Sequence, residues 1–147
     1  ARFVYANPKV RADEGKACIM RGPLVYCLEE TDNGENLSSL YVDTKEALTE
    51  NWEEQLLGGV MSVEAKGKRI LEDHWTAEEL YKEQPPELKD VTLKAVPYCY
   101  WGNRKTGEMA VWIRQLILQK NMYHTEDHLK TGDTFDLIKK NIWEVNV

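Results

Sequence analysis

The sequence has few cysteines, and they form no recognisable motif. Cys18, Cys27 and Cys99 are an odd number, lie far apart and include no C-x-x-C pair, which leaves a zinc ribbon or a thioredoxin-like redox site without support. Cys18 and Cys27 lie inside apolar, strand-like runs, where we expect buried free thiols that pack as small hydrophobic side chains. A single disulfide stays open as the alternative. Reduced thiols favour a cytoplasmic location, although the sequence leaves the compartment unknown.

Long apolar runs and an excess of basic residues are also missing. The longest nearly uncharged apolar runs span only several residues, as at Leu24–Leu28, whereas a membrane-crossing helix needs about 20. The formal net charge of -6 opposes the clustered Lys and Arg that nucleic-acid binding requires. We therefore expect neither a membrane nor a nucleic acid as partner. The sequence at Ala1 has no signal-peptide pattern, which we interpret as a cut or processing point.

Motifs for phosphate or ester chemistry are absent as well. The sequence contains no Gly-rich phosphate loop and no G-x-S-x-G, so nucleotide hydrolysis and serine-esterase chemistry have no motif. His124 and His128 have the i, i+4 spacing of a metal clamp, but the HExxH order and a third ligand are lacking. We interpret them as part of a polar turn. Neighbouring carboxylates such as Glu29 and Glu30 are interpreted as solvated charge, because 25 acidic residues make such neighbours common.

The residues that are present are typical of one all-β domain. The chain has 147 residues, of which 42% are apolar and 30% charged, enough for one hydrophobic core. Short segments rich in β-branched and aromatic residues alternate with turn formers, and this pattern predicts an antiparallel β fold. The predicted strands are Arg2–Tyr5, Lys16–Met20, Leu24–Glu29, Leu40–Asp43, Leu48–Glu53, Val60–Ala65, Val91–Val96 and Met109–Leu118.

Three connections and two helices are predicted between and after these strands. Turn formers indicate connections at Arg21–Pro23, Thr31–Asn36 and Gly102–Gly107. Thr76 and Glu79 match a capping box that predicts a short helix over residues 77–83, ended by the prolines that follow. A helix from Asp43 is the alternative to the strand at 48–53. The candidate C-terminal helix is capped by Thr134 and has an apolar stripe of Phe135, Ile138, Ile142 and Val145.

Several blocks in fixed order carry a resemblance to a known family. Residues Ala6–Lys16, followed at once by Arg21–Glu29, closely resemble the C-terminal portion of glycoside hydrolase family 127, which is β-L-arabinofuranosidase-like. Later blocks resemble the family in the same order, at Leu56–Val60, Ala95–Arg104 and Gly107–Trp112. The resemblance covers residues 1–113 and fades in the tail.

This resemblance implies an architecture and a set of partners. The family has an (α/α)6 catalytic barrel followed by β-sandwich domains, of which this chain would be the last, in bacterial carbohydrate metabolism. We accordingly expect residues 1–118 to form a jelly-roll-like antiparallel β-sandwich and residues 119–147 to form a tail packed on the same domain. The missing barrel of the same polypeptide is the expected partner. A domain cut from that barrel would expose an apolar patch, so weak homo-oligomers are also expected.

The resemblance carries over no catalytic residue. In the family, a cysteine nucleophile is held on zinc by further cysteines and a glutamate, with a separate glutamate as acid/base, all in the barrel. The family motif includes two adjacent cysteines, and this sequence has none. We therefore expect no catalytic residue, metal or cofactor in this chain, with zinc belonging to the missing catalytic domain. The expected function is a non-catalytic accessory domain that supports the barrel or oligomer contacts.

One surface has the residues of a candidate binding site. Tyr98, Tyr100, Trp101, Asn103 and Arg104 crowd the end of a predicted strand and its following loop. Flat rings stack on sugar faces while Asn and Arg hydrogen-bond hydroxyls, so a carbohydrate-binding module is the alternative function. Strand alternation predicts that the two tyrosines point together and the cysteine between them points away. Packing within the sandwich or against the missing barrel is the favoured interpretation of this surface.

Overall fold

Nine β-strands are the main elements of the computed structural model, which describes residues 1–73 and 75–116. The predicted C-terminal helix and the pair His124 and His128 lie outside the described residues. The strands are β1 (Arg2–Tyr5), β2 (Lys16–Arg21), β3 (Leu24–Glu29), β4 (Leu40–Val42), β5 (Thr49–Glu53), β6 (Val60–Ile70), β7 (Leu88–Pro97), β8 (Met109–Ala110) and β9 (Ile113–Gln115). One short helix, α1 (Glu30–Asn33), and 3-10 turns at Arg11–Asp13, Leu37–Ser39 and Tyr98–Tyr100 complete the described elements. The all-β class predicted from the sequence is confirmed.

The strand pairings form a closed circuit of six strands. Going round it, β2 pairs with β3, β3 with β7, β7 with β6, β6 with β4, β4 with β9, and β9 returns to β2. β1 extends the circuit at β2, β5 at β6 and β8 at β3. All pairings are antiparallel except β4 with β9, which is parallel. The strand and turn pattern predicted only antiparallel pairing. Closure of the circuit could not be predicted, because alternation of apolar and polar residues identifies strands but not their partners.

The connection between β2 and β3 is the tight turn predicted there. Met20 pairs with Val25 and Arg21 with Leu24, so only Gly22 and Pro23 lie in the loop. Gly22 has a φ of 56°, and a positive φ at the first central residue is what two-residue hairpin turns require. Glycine reaches this conformation without steric cost.

Alternate side chains of the strands fill the interior of the circuit. The core consists of Ala17, Ile19, Tyr26, Leu28, Leu37, Leu40, Val42, Val63, Ala65, Leu93, Ala95 and Ile113. Full burial of a large apolar side chain stabilises the fold by about 1.5–3 kcal/mol. The core has no room for a side chain at Gly67 of β6, since a Cβ there would lie 2.1 Å from the carbonyl oxygen of Tyr41. The absence of that Cβ lets β4 and β6 approach.

The short helix predicted over residues 77–83 is wrong, because the structure has only a turn there. The capping contacts themselves form: Thr76 donates its backbone N–H to Glu79 Oε2 at 3.1 Å, and its hydroxyl lies 3.2 Å from the same oxygen. However, Leu80 and Tyr81 are 76% and 91% exposed. Without an apolar face to bury, the cost of helix nucleation is not offset.

The strand predicted at Leu48–Glu53 is confirmed as β5, and the alternative helix from Asp43 does not form. Asp43 instead opens a turn: its carbonyl accepts from the N–H of Glu46 at 3.3 Å, and its Oδ1 accepts from the N–H of Lys45 at 3.1 Å. A side chain that bonds to its own following backbone favours a turn over a helix.

Two further predictions are corrected by the pairings. The single strand predicted at Met109–Leu118 is two short strands, since β8 pairs with β3 whereas β9 pairs with β2 and β4. The chain must bend at residues 111–112 to change partners. The loop predicted at Thr31–Asn36 begins instead with the last residues of α1, which ends at Gly34 with a φ of 79°. Within the described residues, no helix is long and apolar enough to cross a membrane.

Candidate functional site

The aromatic residues of the candidate surface lie in a 3-10 turn, not on a strand. β7 ends at Pro97, and Tyr98–Tyr100 turns away from it. The predicted alternation of side chains across a strand therefore does not apply, and Cys99 is exposed together with the tyrosines. The rings of Tyr98 and Trp101 stack with centroids 6.1 Å apart and planes inclined by 20°. Both side chains remain close to half exposed.

Arg104 is bound inside the domain by two carboxylates. Its guanidinium pairs with Glu29 and Asp32, and Nη1 donates to Asp32 Oδ1 at 2.9 Å. The hydrogen bonds that Arg104 donates to Asp32 are the main reason that the pKa of Arg104 is raised, with Glu29 adding to it. Glu29 is only 3% exposed, so its interpretation as solvated charge is wrong. It is buried because it lies at the end of β3, directly beneath the arginine.

The rest of this loop is held by further hydrogen bonds, two of them to the carboxylates of Glu29 and Glu30. Gly102 donates its N–H to Glu29 Oε1 at 2.9 Å, and Glu108 donates its N–H to Glu30 Oε2 at 2.9 Å. Asn103 donates its side-chain amide to the carbonyl of Tyr100 at 3.0 Å. We call residues 98–108 the anchored loop. The Asn and Arg groups expected to contact sugar hydroxyls are thus engaged within the domain, whereas the rings remain free to contact a partner.

Glu29 and Asp32 are the site residues that the sequence reasoning missed. They lie 75 and 72 residues before Arg104 along the chain. The apolar run before Glu29 was the available signal, because a carboxylate that ends a buried strand needs a partner. Nothing in the sequence identified that partner.

A second ion pair joins β5 and β7, which both pair with β6. Lys94 on β7 binds Glu53 on β5 at 2.6 Å and lies 3.9 Å from Asp32. The hydrogen bond from Lys94 lowers the pKa of Glu53, and Ser62 contributes in the same direction. A series of charged side chains therefore extends from Arg104 of the anchored loop to Glu53 on β5.

The three thiols are free, and two of them are buried as expected. Burial raises the pKa of Cys27 to about 12, with the carboxylate of Glu29 acting in the same direction. Burial also raises the pKa of Cys18. Cys99 is exposed. No cluster of His, Cys, Asp and Glu among the described residues could hold a metal ion.

Large exposed apolar side chains gather where β3 begins and β5 and β7 end. Trp52 pairs with Met61 on β6, and Tyr26 pairs with Pro97 on β7. The hydroxyl of Tyr26 donates to the carbonyl of Met61 at 2.9 Å, which links the two pairs. We call this group the aromatic end. Its members are Leu24, Trp52, Tyr98, Tyr100 and Trp101, between 37% and 63% exposed.

The N-terminus lies at the same end. The amino group of Ala1 binds Glu50 on β5, which also accepts from Arg21 Nε at 2.7 Å. Arg2 donates to the carbonyl of Gly22 at 3.2 Å in the β2–β3 turn. The first residues of the chain therefore lie beside the β2–β3 turn and the aromatic end.

A loop rich in carboxylates joins β6 to β7 at the other end of these strands. Residues 71–87, which we call the acidic loop, contain six carboxylates and one lysine, a net charge of -5 against -6 for the whole chain. Lys82 lies 5.1 Å from the centre of the Trp75 ring and 3.1 Å from Glu79. Its two most exposed apolar residues, Leu80 and Tyr81, point into solvent.

A separate cleft of about 460 Å³ lies beside β9. Its polar lining includes Lys16, Ser38 and Glu108, and its apolar lining includes Trp112 and Ile113. Glu108 is already engaged there, since its Oε2 accepts from the N–H of Leu37 at 2.6 Å. None of the sequence-predicted site residues lines this cleft.

Known proteins similar to this chain are glycoside hydrolases. Residues 1–114 match the model of the glycoside hydrolase family 127 C-terminal domain. The non-reducing end beta-L-arabinofuranosidase of Bifidobacterium longum subsp. longum is 39% identical over 78% of this chain. The chain spans only 18% of the length of that curated relative.

Two solved structures show the same relation. A GH127 beta-L-arabinofuranosidase from Geobacillus stearothermophilus T6 is 41% identical with a TM-score of 0.74, over 78% of this chain and 18% of that one. A second GH127 beta-arabinofuranosidase is 31% identical with a TM-score of 0.65, over 79% of this chain and 17% of that one.

Proposed function

The chain belongs to the glycoside hydrolase family 127 C-terminal domain family, and from this premise we propose that it is a non-catalytic accessory domain of an enzyme acting on arabinofuranosides. Its role is structural: it supports the catalytic barrel or the contacts between protomers. The catalytic cysteine, its zinc and the acid/base glutamate belong to the barrel. The three free thiols favour a reducing compartment, the cytoplasm, for the enzyme.

The observation that carries this proposal is the use of the charged side chains around the anchored loop. A glycosidase needs one carboxylic acid that gives a proton to the leaving group and a second carboxylate across the sugar. Glu29 and Asp32 instead share Arg104, and Glu29 is buried under it. Carboxylates that accept from a common guanidinium hold a loop in place and have no open side for a substrate.

Turnover by the purified chain tests the proposal. We expect no hydrolysis of aryl or disaccharide β-L-arabinofuranosides, either with added zinc or with a chelator, because the sequence lacks the adjacent cysteine pair of the family motif. The Geobacillus relative, assayed in parallel, is the positive control for substrate and metal. Metal-dependent hydrolysis that scales with the concentration of the purified chain would overturn the proposal.

Carbohydrate binding remains a second candidate because one observation favours it. The stacked, exposed rings of Tyr98 and Trp101 form a flat apolar surface of the kind that contacts sugar faces. Calorimetric titration with arabinose-containing oligosaccharides tests this function. Heat that disappears in Trp101→Ala and persists in the matched control Tyr81→Ala would favour it, and the absence of heat for every oligosaccharide would reject it.

A further inference from the structure

We infer that the aromatic end is the surface on which the part of the same polypeptide that precedes Ala1 docks. This inference deepens the proposed function and rests on it. It assigns the supporting contact to one end of the strand circuit and to particular side chains, Trp52 and Trp101 above all. It also excludes the acidic loop from that contact.

The first support is the distribution of exposed apolar surface. Nine large hydrophobic side chains are exposed among the described residues, and five of them form the aromatic end. Trp52 is the most exposed of the five at 63%, and its ring lies against Gly59, where a Cβ would come within 2.7 Å of it. Exposed apolar side chains concentrated at one end of a soluble domain indicate an interaction surface.

The second support is the position of Ala1. The curated relative is more than five times as long as the segment matched here, and the family is named for its C-terminal domain. Polypeptide that precedes Ala1 in such an enzyme arrives beside Glu50 and the β2–β3 turn, next to the aromatic end. A covalently linked neighbour has a high effective concentration at the nearest surface, so that surface is the one it covers.

The third support is rigidity. Docking is favoured when the contacting side chains are ordered in advance, because less conformational entropy is lost. Arg104, Glu29 and Asp32 hold the loop that presents Tyr98 and Trp101. The acidic loop has the opposite properties, since burying its net charge of -5 in a contact without counter-charges would be costly.

Cys99 is a built-in probe of this contact, because it is the exposed thiol and lies between Tyr98 and Tyr100. The test compares its alkylation by iodoacetamide in the isolated chain and in the complete polypeptide that contains it. We expect labelling to be about tenfold slower or more in the complete polypeptide, as when reaction must await local opening of a packed surface. Cys18 and Cys27, both buried, are internal references for intact folding.

Several outcomes would overturn the inference. Equal Cys99 labelling in the two proteins would leave the aromatic end uncovered. Protection of Tyr81 against hydroxyl-radical labelling, with Cys99 unprotected, would transfer the contact to the acidic loop. Protection of Cys99 in the isolated chain that vanishes on dilution would assign the surface to a second copy. Failure of the proposed function itself is seen separately, as turnover by the isolated chain.

Two variants in the complete polypeptide sharpen the test. The double variant W52S/W101S is expected to restore most of the Cys99 labelling, and the same change in the isolated chain corrects for any local effect on the thiol. Tyr81→Ser, the matched control in the acidic loop, is expected to leave protection unchanged. Protection that survives W52S/W101S would contradict the assignment of the surface to these rings.

Discussion

The two loops at opposite ends of β7 differ in how they are held, although both expose aromatic side chains. The acidic loop before β7 has contacts within itself, such as Lys82 with Trp75 and Glu79, and a hydrogen bond from Asn36 to Glu72. The anchored loop after β7 is joined to β3 and α1 through Arg104, Glu29 and Asp32. An exposed ring on the anchored loop is therefore tied to β3 and α1 through these three side chains, whereas Tyr81 on the acidic loop is 91% exposed.

This difference teaches that exposure alone does not identify a binding surface. Tyr81 is far more exposed than Trp101, at 91% against 46%. Yet a contact costs more conformational entropy when the side chain that makes it is less constrained beforehand. The anchored loop can therefore bind a partner with little further loss of conformational entropy. Four predictions test how far the ion pairs of Arg104 account for this rigidity.

The largest effect is expected from Arg104→Ala. The substitution leaves Glu29 buried without its counter-charge, and one-sided removal of a buried ion pair costs about 3–5 kcal/mol. We expect the free energy of unfolding to fall by about 3 kcal/mol, the lower end of this range. The native ion pair is imperfect, because Arg104 Nε is buried without a hydrogen-bond partner among the described residues. Chemical denaturation measures the loss. Lys105→Ala, at the exposed neighbouring position, is the control. Equal losses of stability in both variants would show that Arg104 does not hold the loop in place.

Gly107→Ala is expected to have a smaller effect. A Cβ at Gly107 would lie 2.9 Å from Glu30 Oε2 and 3.0 Å from Glu30 Cβ. Glu30 must then move and give up the hydrogen bond from the N–H of Glu108, at a cost of about 1 kcal/mol. The double variant G107A/E30G separates the causes: it removes both close contacts, so it should lose no more stability than Glu30→Gly alone. Additive losses would contradict this explanation.

Alkaline pH should reveal that the anchored loop and β3 enclose Cys27. Its folded pKa of about 12 lies above the ordinary 9.0, so the native state keeps a proton that the unfolded state loses. The contribution to stability is therefore complete below pH 9.0 and declines as pH rises toward 12. Unfolding free energies against pH should fall less steeply in Cys27→Ala. Parallel curves would show that this thiol is not enclosed.

The smallest effect is expected from Glu79→Gln in the acidic loop. The pKa of Glu79 is lowered by the backbone N–H of Thr76 and then by Lys82, so its contribution exists above the ordinary carboxyl pKa and is lost in acid. The group is solvent-exposed, and screening reduces such contributions to near zero. We expect no measurable change in the denaturation midpoint at neutral pH. A shift comparable to that of Arg104→Ala would remove the distinction between the loops.

Much of the fold was predictable because local pattern decides it. β1 and β3 occur at their predicted bounds, and the turn at Gly22 follows from the conformation that glycine permits. The helix at residues 77–83 was wrong for a related reason: the capping box of Thr76 and Glu79 is a local signal, but a helix also needs an apolar face to bury. The split of Met109–Leu118 depends on which strands β8 and β9 meet.

The candidate site was predictable only in part. The aromatic residues Tyr98, Tyr100 and Trp101 were identified by their crowding in the sequence. The role of Arg104 was not, because its partners Glu29 and Asp32 are more than 70 residues away and look like ordinary surface acids. A charge is recognised as buried only when the strands that cover it have been paired.

The sequence by itself determined the strands, the family and the lack of an adjacent cysteine pair, since each follows from residues that are neighbours along the chain. Only the tertiary structure decided that six strands close into a circuit. Only it joined Arg104 to Glu29 and placed Ala1 beside the aromatic end. These relations depend on pairing between distant segments, and the free energy that selects one pairing comes from burying all the strands together.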